Sequence, residues 1–330
     1  MRFVLPLVAL LVTAGPALAD DSTRVAPKEP TGAPPKAAAP EAGPALRFAW
    51  PSPSRVKVTE RILKKGKRSV VSYDAVLSAR SGGGYEVKID KFQFLEMEGR
   101  DLTQGPLPPE LKAAAAIASA LPTLVISADG EVSDVVGMEE VIERTTALVP
   151  EEKGMRDQVR RTLSQPAMMQ MMKQRVGDFW STWVGAWVGA DLAAGEKRTG
   201  TVPMQLPSGS VDSQVTMHHR GSDPAYKGSV HLEVETVLEG EPFRKAMAGL
   251  VSQMIQSSAA KDQAPDIDKM LKSARRVSTV EVVTDPATLR PYRARMAQVT
   301  KLLMEGQERE EREEREYSFA WPTKESGKRR

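Results

Sequence analysis

Apolar and polar residues alternate along much of the stretch from residue 47 to 98. Val56 and Val58 sit between charged neighbours. Val71, Tyr73, Ala75 and Leu77 alternate with Ser72, Asp74 and Ser78, and Tyr85, Val87 and Ile89 alternate with Glu86, Lys88 and Asp90, ahead of Phe92 and Phe94. A period of two sends successive side chains to opposite faces of a strand, so the pattern predicts antiparallel strands with one wet face. Lys65-Gly66-Lys67 and Gly82-Gly83-Gly84 mark the turns. Pro108-Pro109 then opens an Ala-rich helix to about residue 120, because proline is tolerated where a helix's first N–H has no partner anyway. Leu124-Val125-Ile126, Asp129-Gly130 and Val132 to Val136 predict a hairpin.

From residue 138 to 190 the period becomes helical. Met138, Val141, Ile142 and Thr145 fall on one face, and Met155, Val159 and Leu163 follow at four-residue spacing. Pro166 interrupts the pattern, and a Met- and Trp-rich segment resumes to about Val188. Strands return over 198–238. A helix starting near Pro242 has Phe243, Met247, Leu250, Val251, Met254 and Ile255 as its apolar stripe, and Ile267, Met270, Leu271 and Ala274 make a shorter one. Strands near 276–285, 291–304 and 307–320 follow.

Strands in meanders, rather than singly between helices, predict an α+β fold. Ten or so strands must curl, so the expected architecture is a large curved antiparallel sheet or incomplete β-barrel with helices on its concave side. Phe48-Ala49-Trp50-Pro51 recurs as Phe319-Ala320-Trp321-Pro322. The echo suggests that the first and last strands are neighbours, at one edge of the sheet.

Residues 1–19 have the form of a secretory signal peptide: Arg2, an apolar run from Phe3 to Val12, and the small-x-small site Ala17-Leu18-Ala19. The expected location after cleavage near Ala19 is the periplasm or the extracellular space. Residues 20–46 read as a Pro/Ala-rich disordered linker, 47–322 as one domain and 323–330 as a basic tail. No segment is apolar and long enough to be read as a transmembrane span.

Composition narrows the chemistry. A net charge of +3 argues against a nucleic-acid partner. The chain has no cysteine, which removes disulfides, thiolate metal sites and cysteine nucleophiles. None of the common nucleotide-binding, hydrolase or zinc-protease motifs occurs, so no catalytic residue and no cofactor is assigned.

The densest feature is Phe179 to Val188, where Trp180, Trp183 and Trp187 share one face if the segment is a helix. Such a face is a core helix, a lid over an apolar cavity or a membrane contact. Upstream, Met168, Met169, Met171 and Met172 offer soft thioethers that suit Cu(I), but methionine more commonly fills cores and apolar pockets. The residues assigned to an apolar ligand are Met168, Met172, Phe179, Trp180, Trp183, Trp187, Phe243, Met247, Leu250 and Met254. His218 would face His231 across a hairpin turning near 224–225, half of a metal site with nothing to complete it. Arg61, Lys64, Lys65, Lys67 and Arg68 form a basic hairpin tip, and Glu308 to Glu316 is a polar strand arm or a charge-stitched helix.

The stretch from Leu121 to Val132, followed by Val136-Gly137-Met138-Glu139-Glu140, resembles uncharacterised secreted bacterial domains of unknown function. The overall layout is similar to the lipoprotein-carrier half-barrels of the LolA/LolB type. The resemblance implies a fold and no catalytic residue. The expected function is that of an exported, non-enzymatic envelope protein binding a lipid or lipidated ligand in a Met/Trp-lined cavity. The alternatives are a structural domain that binds an envelope protein partner, and a hydrolase with an unrecognised carboxylate site.

Overall fold

A computed structural model describes residues 45–118, 121–149, 154–206, 209–258 and 266–322. The segments read from the sequence as signal peptide and basic tail, and nearly all of the one read as linker, lie outside these residues. Leu46, which the sequence reading placed in the linker, is buried in the core, and its N–H donates to the Ala190 carbonyl at 2.9 Å.

The strands form one antiparallel sheet of twelve, open at both edges. In chain order they are β1 (Ser54–Lys64), β2 (Lys67–Ala79), β3 (Tyr85–Met97), β4 (Arg100–Asp101), β5 (Thr123–Ile126), β6 (Val132–Val136), β7 (Lys197–Leu206), β8 (Gly209–Gly221), β9 (Val230–Leu238), β10 (Leu271–Thr284), β11 (Pro291–Met304) and β12 (Gln307–Ala320). Their spatial order is β6-β5-β3-β2-β1-β12-β11-β10-β9-β8-β7, with β4 paired to β3. Two meanders are therefore joined where the first strand meets the last.

That junction is in the middle of the sheet, not at an edge as the FAWP echo suggested. Val58 pairs with Phe319 and Lys57 with Ala320. The middle position follows from connectivity: each meander runs outward from the junction and ends at its own edge, β6 or β7.

The helices are α1 (Pro109–Ala118), α2 (Met138–Ala147), α3 (Met155–Leu163), α4 (Pro166–Trp183), α5 (Gly240–Ser258) and α6 (Ile267–Met270). On α2, Met138, Val141, Ile142 and Thr145 are all buried, as their spacing predicts. Two expectations change. Leu271 and Ala274 belong to β10, and α6 is a single turn. The tryptophan helix ends at Trp183, and Gly185 to Trp187 form a separate 3-10 turn. Glycines at 185 and 189 make continuation of the α-helix costly there.

The two charge runs find each other. The acidic segment is a strand, β12, lying beside β1, so Lys64 meets Glu313 at 2.9 Å and Lys65 meets Glu311 at 3.4 Å. At the turn into β2, Lys67 pairs with Glu98 and Arg68 with Glu96 of β3.

One face of the sheet carries the helices and is called the inner face; the other carries the charged ladders. Alternation assigns Val280 and Val282 of β10, Met296 and Ala294 of β11, and Tyr317 and Phe319 of β12 to the inner face. These residues pack under α4. Further along the same face, Leu238, Leu271 and Ala274 pack under α5. The sheet therefore has two apolar cores on one face, at opposite ends of its strands.

Candidate functional site

Between the two cores the inner positions turn polar. Along β10 they read Ala274, Arg276, Ser278, Val280, Val282; along β11, Leu302, Thr300, Gln298, Met296, Ala294. The pairing register aligns the interruptions. Thr236, Ser278, Gln298, Glu313 and Lys64 form one continuous row across β9, β10, β11, β12 and β1. Arg276, Thr300 and Glu311 make the next row towards α5, and Arg315 lies one row towards α4. An apolar residue at each of these positions would merge the two cores, so the polar row is a departure from the pattern that built them.

Much of the row satisfies itself. Arg315 donates from Nη1 to Glu60 Oε1 at 3.2 Å and from Nη2 to Glu313 Oε1 at 2.8 Å. Lys64 Nζ lies 2.9 Å from Glu313 Oε2, and the Tyr73 hydroxyl donates to Glu60 Oε2 at 3.3 Å. Burial opposes the Arg315 charge, but Tyr317, Glu60 and Glu313 outweigh it and hold its pKa above the ordinary value. Burial likewise opposes the Glu313 charge, and Arg315 with Lys64 holds this carboxyl below the usual range. Burial and the Glu60 charge push the Tyr73 and Tyr317 hydroxyls up, so both stay protonated.

Other members stay unpaired. Arg276 is 7% exposed, and it makes no hydrogen bond or ion pair among the described residues. Its guanidinium carbon sits 5.7 Å from the centre of the Phe243 ring on α5. Burial lowers its pKa. Gln298 Oε1 is buried without a donor. Helix α4 contributes two more charged groups on its half-buried flank. Burial lowers the Arg175 pKa to about 10, with Asp178, Arg315, Glu313 and Arg276 all within electrostatic reach. Burial raises the Asp178 carboxyl to about 7, with Arg175 and Arg315 pulling the other way. Cations thus gather between the two cores, near a carboxyl that burial raises to about 7.

The residues assigned to an apolar ligand lie on this inner face but not together. Met168, Met172, Phe179, Trp180, Trp183 and Trp187 belong to the α4 core, and Phe243, Met247 and Leu250 to the α5 core. Met254 is on α5, and its side chain lies outside the described residues. The three tryptophan rings line no open chamber, being 0%, 0% and 1% exposed. Trp183 is surrounded by Phe179, Tyr73, Tyr317 and Phe319. Trp180 donates to the Gly130 carbonyl at 2.8 Å, and Trp187 to the Thr182 carbonyl at 3.0 Å. Met168, Phe179 and Leu250 are only partly buried. Sequence reasoning singled out these aromatic residues by density and missed Arg276, Gln298, Glu313 and Arg175. For Arg276 and Gln298 the signal was a polar side chain in phase with the apolar inner positions of β10 and β11; Glu313 lies within the charged run Glu308 to Glu316, and Arg175, on α4, had no such signal.

His218 does not face His231. The hairpin is centred near residue 226 rather than at 224–225, so His231 pairs with Gly221 and His218 with Glu233. His231 instead meets Glu281 at 3.3 Å. It borders an outer-face hollow of about 410 Å³ with Arg61, Arg293, Arg295 and Glu316. There Arg295 is already divided between Glu281 and Glu314. Among the described residues no three His, Asp or Glu side chains are placed to hold a metal ion, and no helix is long and apolar enough to cross a membrane.

No family model matches the sequence, and no curated protein matches it significantly. Among solved structures, one titled "Lipid-protein interactions in lipovitellin" is similar over 82% of this chain and 25% of that one, at 9% identity and a TM-score of 0.37. The chain spans a quarter of that structure's length. A likeness this low carries no functional argument.

Proposed function

We propose that this chain is an exported, non-enzymatic protein that binds an amphiphilic, lipid-like ligand on the inner face of its sheet, across the gap between the α4 and α5 cores. The observation that carries the reading is the polar row itself. Two apolar cores flank buried polar atoms that the protein leaves unpaired, Arg276 Nε and Gln298 Oε1. A buried polar group without a partner costs roughly 1–3 kcal/mol, so a water or a ligand group of matching chemistry is expected at this position. Half-buried Phe179, Met168, Val215 and Met217 on one side and Leu250, Leu302 and Met304 on the other offer apolar surface to the rest of such a ligand.

The pattern of residues 1–19 supports export. A non-enzymatic role is supported by the state of the carboxyls. Asp178 has the raised pKa of a general acid, but among the described residues Glu60 and Glu313 are both held by Arg315.

Close packing of Trp180, Trp183 and Trp187 favours a second reading, a structural or protein-interaction domain with no small ligand. Native mass spectrometry of the protein purified from its own envelope, with lipid extraction, separates the two. Binding predicts a chain starting at Asp20 with a stoichiometric apolar adduct. A clean apo mass that takes up no added fatty acid or phospholipid favours the interaction domain.

A further inference from the structure

The polar row also bears on the ligand's chemistry. On and beside the inner face between the cores stand Arg175, Arg276, Arg315 and Lys64, with Glu60, Glu313 and Asp178. Arg315 and Lys64 are committed to Glu60 and Glu313. The two guanidinium groups left over, Arg276 of β10 and Arg175 of α4, make no hydrogen bond among the described residues. They come from opposite walls, Arg276 from the sheet and Arg175 from the helix that packs on β10 and β11. Asp178 attracts Arg175 and Glu311 attracts Arg276, but neither carboxyl is hydrogen-bonded to its arginine, and a desolvated charge without such a partner is costly at each position. An anion between them removes both costs, and a guanidinium presents the fork of donors that carboxylate and phosphate oxygens fit.

We infer that the polar end of the ligand is an anion, a carboxylate or a phosphate on an acyl or alkyl chain, received by Arg276 and Arg175 in the gap between the two cores. This rests on the proposed amphiphile-binding function and narrows it. Neighbouring groups fit the assignment. Gln298 is beside Arg276 in the next row, Glu311 is exposed at the α5 end, and Asp178 is the carboxyl closest in influence to Arg175. The Arg276 guanidinium also has the Phe243 ring beneath it, which holds it in place without using its donors.

The test compares ligands of one chain length on the full mature protein. Palmitate, hexadecyl phosphate and hexadecanol are titrated and followed by tryptophan fluorescence and calorimetry, with wild type, Arg276→Met and Arg175→Gln. The expected result is that at least one anion binds tenfold or more tightly than hexadecanol. Its affinity drops at least tenfold in Arg276→Met and measurably in Arg175→Gln, while hexadecanol binding is unchanged. Preference between palmitate and hexadecyl phosphate assigns the head as carboxylate or phosphate. Arg175→Gln lies on a half-buried helix flank, so it keeps the test open if Arg276→Met fails to fold. Hexadecanol binding as tightly as both anions, or anion binding indifferent to both arginines, overturns the inference while leaving amphiphile binding intact. No binding of any of the three overturns both.

Discussion

Trp50 and Trp321, one from each copy of the FAWP echo, meet edge to face with ring centroids 4.8 Å apart. Their indole N–H groups donate to carbonyls two residues apart, Trp50 to Leu289 at 3.0 Å and Trp321 to Pro291 at 2.8 Å. The pair closes the junction at which β12 returns to β1, and Trp50 passes the contact on to Trp180 of α4 at 5.1 Å. The sheet's seam and the helix that covers it therefore share one aromatic cluster.

The two tryptophans should differ in weight. Trp50 is buried and Trp321 only half-buried. Trp50→Phe leaves the Leu289 carbonyl without its donor in the core and should cost about 2–3 kcal/mol. Trp321→Phe lets water replace the lost bond and should cost about 1 kcal/mol or less. Urea unfolding midpoints of the two variants check the order.

Gly130 is the tightest point beneath this cluster. Its φ is +100°, and a Cβ there would lie 2.4 Å from the Phe48 Cβ, an atom tied to the backbone. Gly66 also has a positive φ, +74°, but nothing lies near its missing Cβ. Gly130→Ala should therefore destabilise the protein by at least about 2 kcal/mol more than Gly66→Ala, since both share the backbone strain and only one adds a clash. Thermal unfolding of the two variants measures the difference.

Asp178 makes the unliganded protein less stable as pH rises from about 4 to 7. Its carboxyl titrates near 7 when folded, against an ordinary value of 3.8. Below about pH 4 the group is protonated in both states and costs nothing. As pH rises towards 7 the unfolded chain ionises first, so stability falls, and above 7 the full penalty is present. Asp178→Asn removes that penalty. It should be more stable than wild type by roughly 2–4 kcal/mol at pH 8, with the gap closing towards pH 4. Denaturant titrations across this range check both the sign and the window.

Arg315 holds two buried glutamates at once, so Arg315→Met should be costly, about 3–5 kcal/mol, because Glu60 and Glu313 lose their main cation. The Lys65–Glu311 pair one turn away is exposed on both sides. Lys65→Ala should cost less than about 1 kcal/mol. Equal losses in the two variants would show that the buried network carries no special weight.

The antiparallel meanders, the hairpin turns and the face of α2 were legible because their period is local. Val71 to Leu77 alternate whatever they pair with, and Met138 to Thr145 share a face in any helix. What was not legible depends on register. Glu313, Gln298 and Ser278 are far apart in the chain, and only strand pairing places them in one row. The register that pairs His231 with Gly221 and His218 with Glu233 comes from the same level of structure. The tryptophan-rich segment was conspicuous, but rings at helical spacing fill a core as readily as they line a pocket, and Trp180, Trp183 and Trp187 are buried. The stronger clue was Arg276 at a core-phase position of β10.

The central claim is that an anionic amphiphile bridges the two cores through the polar row. The most direct measurement is a crystal structure of the mature protein with whichever of palmitate and hexadecyl phosphate binds. The account predicts head-group oxygens within hydrogen-bond distance of Arg276 and Arg175, with the chain lying on the inner face against the α4 or α5 core. A ligand seated on the outer face, or an inner-face ligand whose head turns away from both arginines, would contradict it.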